Sequence, residues 1–377
     1  MIKTIHEDKC TGCGICANVC PLDTIRIDPF QEEIPPCQNA CPANVDMRAY
    51  IQYLKLGMQA EALRTISMDL PFPAITGRLC HHPCTSKCAR KNVDETVKIN
   101  DLERYLGDAL LQEKNNMEQP VTHAAKVAVI GSGPMGLSAA YFIRKMGYKV
   151  EVFESETNIG GLLREEVNKS RLPGEILEKQ INYMKDLGIE FRTNFTFSYD
   201  DSLTELMEQG FRAVLLSTGF RTIQELGLPK NMLLTKGGVK ADPLTLETEI
   251  RGLFAGGGIT LERVPIAEIV GNAKRAAVSI SRYLRKEDIR KDLTSKRKLS
   301  EQIPKDGISI QKSQITSDSF NEEAFLEEAQ RCMTCGAKAQ ISHLDDCMTC
   351  YSCELNCPYD AIYVHPFKEE LPASFNY

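Results

Sequence analysis

An α/β fold is predicted, on three observations. Strand, glycine turn, helix, strand and carboxylate follow one another over residues 126–154. Fifteen cysteines crowd into short runs on both sides of that stretch. Between the first of those runs, Val45–Met68 carries apolar residues at helical spacing. Together they predict a Rossmann-like core flanked by a small helical domain and by cysteine-rich α+β elements at both termini.

The core is read first. Lys126–Ile130 is a short apolar run of strand type, and Gly131-Ser132-Gly133-Pro134-Met135-Gly136 fits G-x-G-x-x-G. Leu137–Met146 has helical composition, Gly147 ends that helix, and Lys149–Phe153 reads as a second strand followed by Glu154. In such a βαβ unit Gly131 makes the turn, Gly133 lets a pyrophosphate approach the backbone, and Gly136 lets helix pack on strand. The phosphates sit at the helix N-terminus, where unpaired N–H groups and the dipole favour anions. Glu154 is placed to take the ribose hydroxyls. A glycine turn in an ordinary α/β domain would leave Glu154 unexplained.

A chain of 377 residues has room for two or three domains. Charged residues make up 25% and the net charge is −6, which argues against a nucleic-acid surface. The N-terminus lacks an apolar signal region and no stretch approaches membrane-spanning length, so the expectation is a cytoplasmic protein without membrane contact. In that compartment so many cysteines point to metal rather than to disulfides.

Taken in order, residues 1–33 hold Cys10, Cys13, Cys16 and Cys20 before Pro21. This is the C-x₂-C-x₂-C-x₃-C-P run of bacterial ferredoxins, which holds a [4Fe–4S] cluster. A zinc ribbon would need a longer loop between pairs. Pro21–Asp28 reads as a short helix and a return strand. Residues 34–120 carry Cys37, Cys41, Cys80, Cys84 and Cys88 around the helical insert; five thiols do not divide into fours, so either a ligand is missing or one is spare. The dinucleotide domain follows over 121–286. Within it Gly160-Gly161-Leu162 and Arg171-Leu172-Pro173 follow the fingerprint. Ile176–Leu187 reads as a helix, Ala213–Leu216 as a buried strand ending in Ser217-Thr218-Gly219, and Gly252–Ala255 as a strand running into Gly256-Gly257-Gly258. A helix over Ile266–Leu284 closes the domain. Residues 287–320, rich in Lys, Asp, Ser and Gln, read as an exposed linker. In 321–340 a helix over Glu322–Gln330 leads to Cys332 and Cys335. Residues 341–377 contain Cys347, Cys350, Cys353, Cys357 and Pro358, a second ferredoxin-type run.

These motifs resemble the small subunit of glutamate synthase and the N-terminal half of dihydropyrimidine dehydrogenase. The resemblance covers residues 34–284 and rests on Pro36-Cys37-Gln38-Asn39-Ala40-Cys41-Pro42, Thr76–Cys80, Val97–Glu103, the Gly131 fingerprint, Gly160-Gly161, Arg171-Leu172-Pro173 and Gly252–Ala255. It implies that the dinucleotide is FAD, with Gly131, Gly133, Pro134, Met135, Gly136, Glu154, Gly161, Leu162, Arg171, Gly219, Gly257 and Gly258 around it. It also implies two [4Fe–4S] clusters in the helical domain and one carboxylate ligand at Glu103. The family's C-x₂-C ahead of the first pair is absent here, and Cys332 and Cys335 look like that pair displaced. One cluster is then expected on Cys37, Cys88, Cys332 and Cys335, the other on Cys41, Cys80, Cys84 and Glu103. With the two ferredoxin-type runs this makes sixteen ligands, enough for four [4Fe–4S] clusters.

Two departures bear on function. The family inserts a second dinucleotide fold, for NADPH, between the strands ending near Gly219 and beginning near Leu253. Here Phe220–Gly252 is too short for it, and Gly237-Gly238 lacks a flanking strand and helix and reads as a turn. The family's closing motif also ends in an aspartate where this chain has Gly258. The expected function is therefore electron transfer by an FAD and [4Fe–4S] subunit of a larger, anaerobic oxidoreductase, with other subunits of that complex, and ferredoxin, as partners. A self-contained NAD(P)H oxidoreductase is the first rival and a cluster-based redox sensor or scaffold the second. No Ser/His/Asp or Cys/His constellation stands out, and His81-His82 is expected to pack near Cys80. The two ferredoxin-type halves are expected to meet, with Cys10, Cys13, Cys16 and Cys357 on one cluster and Cys347, Cys350, Cys353 and Cys20 on the other, against the alternative of two independent sites.

Overall fold

The computed structural model describes all residues except 7–8, 13, 23, 28–32, 113–119, 166–169, 221–225, 233, 235–237, 261–264, 292–297, 300–307, 316–320, 337–338, 342–343, 345–346 and 365–377. The N-terminal segment is β1 (Ile2–Ile5), α1 (Ile15–Val19) and β2 (Ile25–Ile27). The helix expected after Pro21 is instead α1, inside the cysteine run. Gly14 at φ +85° lets the chain turn into it, and the thiols of Cys16 and Cys20 are brought to its two ends.

The helical domain follows a short strand β3 (Glu33–Ile34) and comprises α2 (Pro36–Ala40), α3 (Met47–Lys55), α4 (Gln59–Asp69), α5 (Pro73–Leu79), α6 (Pro83–Ser86) and α7 (Ile99–Leu110). Asp46 caps α3 by accepting from the Ala49 N–H at 3.0 Å. Helices α5 and α7 cross backbone to backbone. A Cβ at Gly77 would stand 2.6 Å from Arg104 N, and one at Gly107 would stand 2.0 Å from Ala74 N. That close crossing brings Cys80, at the end of α5, beside Glu103, within α7.

The dinucleotide domain contains β4 (Lys126–Ile130), α8 (Pro134–Lys145), β5 (Lys149–Phe153), α9 (Gly174–Asp186), β6 (Glu190–Arg192), α10 (Tyr199–Glu208), β7 (Phe211–Leu216), β8 (Leu253–Ala255) and α11 (Ile266–Arg285). Pro134 starts α8 three residues earlier than composition suggests, since proline's fixed φ suits the first helical position. The strands form one parallel five-stranded sheet in the order β6-β5-β4-β7-β8. Val127 and Val129 pack into one apolar core and Ala128 and Ile130 into another, so the central strand is buried on both faces.

The last described elements are β9 (Lys298–Leu299), α12 (Glu322–Gln330), β10 (Ala339–Ile341), α13 (Ser352–Leu355) and β11 (Ile362–Val364). Strand β1 pairs antiparallel with β11, and β2 with β10, so the two ends of the chain form one small module with its own core of Ile2, Ile25, Ala339, Ile362 and Val364. In the segment expected to be an exposed linker, described residues pack against the rest of the chain. Leu299 pairs with Ile34, and residues 308–315 lie against the helical domain with Ile315 buried. Among the described residues no helix is long and apolar enough to cross a membrane.

Candidate functional site

Sheet register builds the first site. Ile130 stands opposite Phe153 and Leu216, and Leu216 opposite Ala255. The residues that follow each strand end therefore gather at the carboxyl edge, on either side of β4, where the strand order reverses. They line a cleft of about 480 Å³, a size ordinary for a cofactor pocket. Gly131, Gly133, Pro134, Met135, Glu154, Gly161, Leu162, Gly219, Gly257 and Gly258 lie on its wall. Gly136 lies behind it, where a Cβ would stand 1.9 Å from Gly131 O; Gly131 itself is at φ +102°. A Cβ at Gly133 would project into open space, which is the room a pyrophosphate needs.

Glu154 differs from expectation. Its Oε2 accepts from Ser132 N at 2.9 Å and Ser132 Oγ at 2.5 Å, and its Oε1 accepts from Glu156 N at 2.9 Å and Ser155 Oγ at 3.1 Å. These four bonds match a carboxylate's acceptor capacity, so a ribose hydroxyl must take the place of one of them. Burial works against ionisation here, but the donors from Glu156 and Ser132 outweigh it and hold the carboxyl below its usual range. Ser132 Oγ also accepts from Gly160 N at 2.9 Å, tying the phosphate turn to the Gly160-Gly161 turn. Ser132, Ser217, Thr218 and Glu156, also on the wall, carried no sequence signal beyond lying between motif positions. Arg171 lies off the wall: its guanidinium donates to Arg78 O, and its charge acts on His82. At Gly258, where the family has aspartate, a Cβ would meet the Gly219 carbonyl carbon at 3.0 Å, so a side chain there needs Gly219 to give by a few tenths of an ångström.

Among the described residues the cysteines gather in sets. In the helical domain, Cys41, Cys80, Cys84 and Glu103 act on one another's charge, and all are buried or half-buried. Burial pushes the Cys80 thiol up to about 11 and Glu103 up to about 7, the latter opposed by the Thr76 hydroxyl. Cys37 is raised well above its ordinary value by burial and by Cys332, Cys88 and Cys335, so the returning pair stands at the Cys37 and Cys88 thiols. Crowded, buried thiols that resist ionisation suit a site where iron supplies the positive charge.

The return of that pair is held by a charge knot. Arg90 makes a two-pronged bond to Asp94 at 2.8 and 2.6 Å and donates to Arg331 O at 2.6 Å. Arg331, fully buried, donates to Glu328 at 2.6 Å and to Asp94 at 3.1 Å. The knot also takes in Ser309 O and Gln311 O, which accept from Arg90 and Arg331 at 2.8 Å. This explains the burial of a segment whose composition reads as linker. Arg48 and Lys55 then hold Cys335 O and Cys332 O at 3.4 Å each.

In the terminal module one hollow is lined by Cys10, Cys16 and Cys357, with Cys13 outside the described residues. Another is lined by Cys20, Cys347, Cys350 and Cys353. The fourth cysteine of each run thus faces the other run's hollow. Backbone N–H groups point at sulfur from Thr24 to Cys20, from His82 to Cys80, from Ala339 to Cys10 and from Ala361 to Cys357, all at 3.3 Å. Among the described residues no three His, Cys, Asp or Glu side chains close on a single ion. Buried polar atoms without partners recur at these places: Glu103 Oε1, Tyr50 Oη, His82 Nδ1 and Thr85 Oγ1 in the helical domain, and Thr11 Oγ1 and Thr24 Oγ1 at the two hollows. Thiols, a carboxylate and unpartnered donors around shared hollows fit clusters, whose sulfides accept such bonds.

Chain continuity and close backbone approaches link some of these groups. Ile269 of α11 lines the cleft, and two residues on a Cβ at Gly271 would stand 2.4 Å from the O of Pro42, next to Cys41. Helix α2 carries Cys37 and leads directly to Cys41, and α6 carries Cys84 shortly before Cys88, so the two helical-domain sets are neighbours. Cys335 lies four residues before Ala339, whose N–H reaches Cys10 Sγ. The last hollow opens outward, with Cys350 exposed and Met348 63% exposed on its rim.

The family described as dihydropyrimidine dehydrogenase domain II, 4Fe-4S cluster, matches residues 30–115; a 4Fe-4S binding domain matches 3–26 and an NAD(P)-binding Rossmann-like domain 129–208. The chain is similar to the NADP(+)-dependent formate dehydrogenase subunit beta of Moorella thermoacetica, 33% identical over 216 residues, covering 51% of this chain and 30% of that protein. It is also similar to the NADPH-Fe(3+) oxidoreductase subunit beta of Geobacter sulfurreducens, at 34% over 199 residues, 51% of this chain and 29% of that one. A third relative is the NAD-dependent dihydropyrimidine dehydrogenase subunit PreT of Escherichia coli O157:H7, at 33% over 187 residues, 49% of this chain and 45% of that one. The match spans less than half the length of each of these relatives.

Proposed function

We propose, for a chain that belongs to the family of FAD and [4Fe–4S] oxidoreductases represented by the glutamate synthase small subunit and the N-terminal half of dihydropyrimidine dehydrogenase, that it is an electron-transfer subunit of a larger, anaerobic cytoplasmic complex. What supports this reading is that Cys332 and Cys335 act on Cys37 and that each hollow of the terminal module is lined by cysteines of both runs, one of them with an exposed rim. Bound FAD exchanges one or two electrons and a [4Fe–4S] cluster one, so the two kinds of group together convert pair transfers into single ones.

The chain's own residues do the rest. Gly131, Gly133 and the start of α8 receive the pyrophosphate, and Glu154 orients the ribose once one of its internal donors yields. Cys41, Cys80, Cys84 and Glu103 hold the cluster next to the cleft. Cys37, Cys88, Cys332 and Cys335 hold the second, and the crossed sets Cys10, Cys13, Cys16, Cys357 and Cys347, Cys350, Cys353, Cys20 hold the outer two. The backbone N–H groups aimed at sulfur favour the reduced, more negative state of their site. The rim of Leu22, Met348 and exposed Cys350 is where a partner subunit or ferredoxin would dock.

A self-contained NAD(P)H oxidoreductase is the second reading, favoured by relatives whose names include NADP and NADPH. It requires a nicotinamide to dock directly on the cleft, because β7 and β8 are adjacent strands joined by too few residues for another dinucleotide fold. The proposal is tested by composition. Anaerobically purified protein should carry about sixteen irons and one FAD. About eight irons would remove two of the clusters from the reading, and zinc in place of iron would remove them all.

A further inference from the structure

Tyr50 lies in the middle of α3 and is fully buried, yet its hydroxyl has no hydrogen-bond partner. A buried hydroxyl without a partner calls for a physical reason, because tyrosine O–H groups are normally satisfied when they leave water. The acidic groups that act on this hydroxyl are Glu103, Cys84, Cys37 and Cys41. Three of the four belong to the site beside the cleft, and Cys37 belongs to its neighbour. Glu103 Oε1 is likewise buried and unpartnered. Both groups are buried, the carboxylate's charge acts on the hydroxyl, and the hydroxyl and Oε1 are not bonded to each other.

We propose that the Tyr50 hydroxyl donates a hydrogen bond to the cluster held by Cys41, Cys80, Cys84 and Glu103, and raises its reduction potential. The inference rests on the ligand assignment proposed above. Reduction adds a negative charge to a cluster, and a donor aimed at a sulfide or thiolate stabilises that charge. Tyr50 is thus a positioning and tuning residue rather than a ligand. It acts on the cluster nearest the cleft, the first to share electrons with the flavin. Phenylalanine would fill the same space and remove only the donor.

The test is a redox titration of the anaerobic holoprotein followed by electron paramagnetic resonance. The relevant signal is identified as the one that Glu103→Cys alters. In Tyr50→Phe that signal should titrate at a more negative potential, by at least a tenfold change in its oxidised-to-reduced ratio, about 59 mV for one electron. The other clusters should stay in place and the iron content should be unchanged. In D₂O, the unmodified protein should lose one more exchangeable-proton coupling to the same reduced cluster than Tyr50→Phe loses, since the His82 N–H at Cys80 exchanges in both. No shift, or a shift confined to a different cluster, would overturn the inference. Loss of iron in Tyr50→Phe would make the residue structural and overturn it too. Unmodified protein with far fewer than sixteen irons would instead fail the ligand assignment beneath it.

Discussion

The dinucleotide cleft is built from one continuous stretch, residues 130 to 269. Cys332 and Cys335 reach Cys37, and the two cysteine-lined hollows of the terminal module form, only when residues beyond 330 return to the N-terminal third of the chain. The cleft is framed by a parallel sheet buried on both faces, so local turns and strand register decide its shape. The cysteine sites depend on two short antiparallel pairings and one buried charge knot. The difference teaches that loading of the flavin and loading of the clusters should be separable by mutation, in both directions.

The sharpest break of that comparison is Gly136→Val. Its Cβ would stand 1.9 Å from Gly131 O, so the turn must move. The expected outcome is complete loss of bound flavin with the iron retained, read by absorbance and iron analysis. Loss of both together would mean the cleft and the clusters fold as one unit.

Cys20→Ala probes the opposite arm. The side chain faces the hollow of Cys347, Cys350 and Cys353, so the cluster that should disappear is that of the C-terminal run, about four irons of sixteen. Flavin should stay. If the cluster of Cys10 and Cys16 is lost instead, each run closes on itself and the chain ends hold independent sites.

A smaller effect is expected from Asp94→Asn, which leaves Arg90 and Arg331 without their shared carboxylate. Asp94 is 6% exposed, and removing one partner of a buried pair costs about 3 kcal/mol, measured as a lower urea midpoint at neutral pH. The hydrogen bonds and charge of Arg90 hold Asp94 well below the usual carboxylate range. A depressed folded pKa contributes stability above the unfolded value of about 3.9, and that contribution is lost as pH falls through the folded pKa. The gap between parent and variant should therefore narrow as the pH is lowered below about 4. A constant gap would assign the loss to packing rather than charge.

Much of the cleft was legible because its signals are local. Strand, glycine spacing and the residue after the second strand all lie within thirty residues, and the expected strands over Lys126–Ile130 and Lys149–Phe153 match the structure end to end. What escaped was what depends on neighbours. Ser132 occupies a position the motif leaves free, and only its bond to Glu154 shows that it competes with the ribose. The segment 308–315 looks like linker because it is polar, but its backbone carbonyls satisfy Arg90 and Arg331. Tyr50 reads as one more apolar position on an amphipathic helix, since periodicity is blind to where a hydroxyl points. The cysteines stood out through spacing. Glu103 did not, because a single carboxylate on a helix has no spacing signal and needed the family resemblance to be noticed.

The central claim is that electrons reach and leave this flavin through the clusters and a partner, without a nicotinamide site on the chain. Stopped-flow reduction of the anaerobic holoprotein tests it most directly. The flavin should bleach rapidly with reduced ferredoxin or dithionite, and slowly or not at all with NADH or NADPH. Bleaching by either nicotinamide at a rate typical of enzyme turnover, on the order of 10 per second, would contradict the account and restore a self-contained NAD(P)H oxidoreductase.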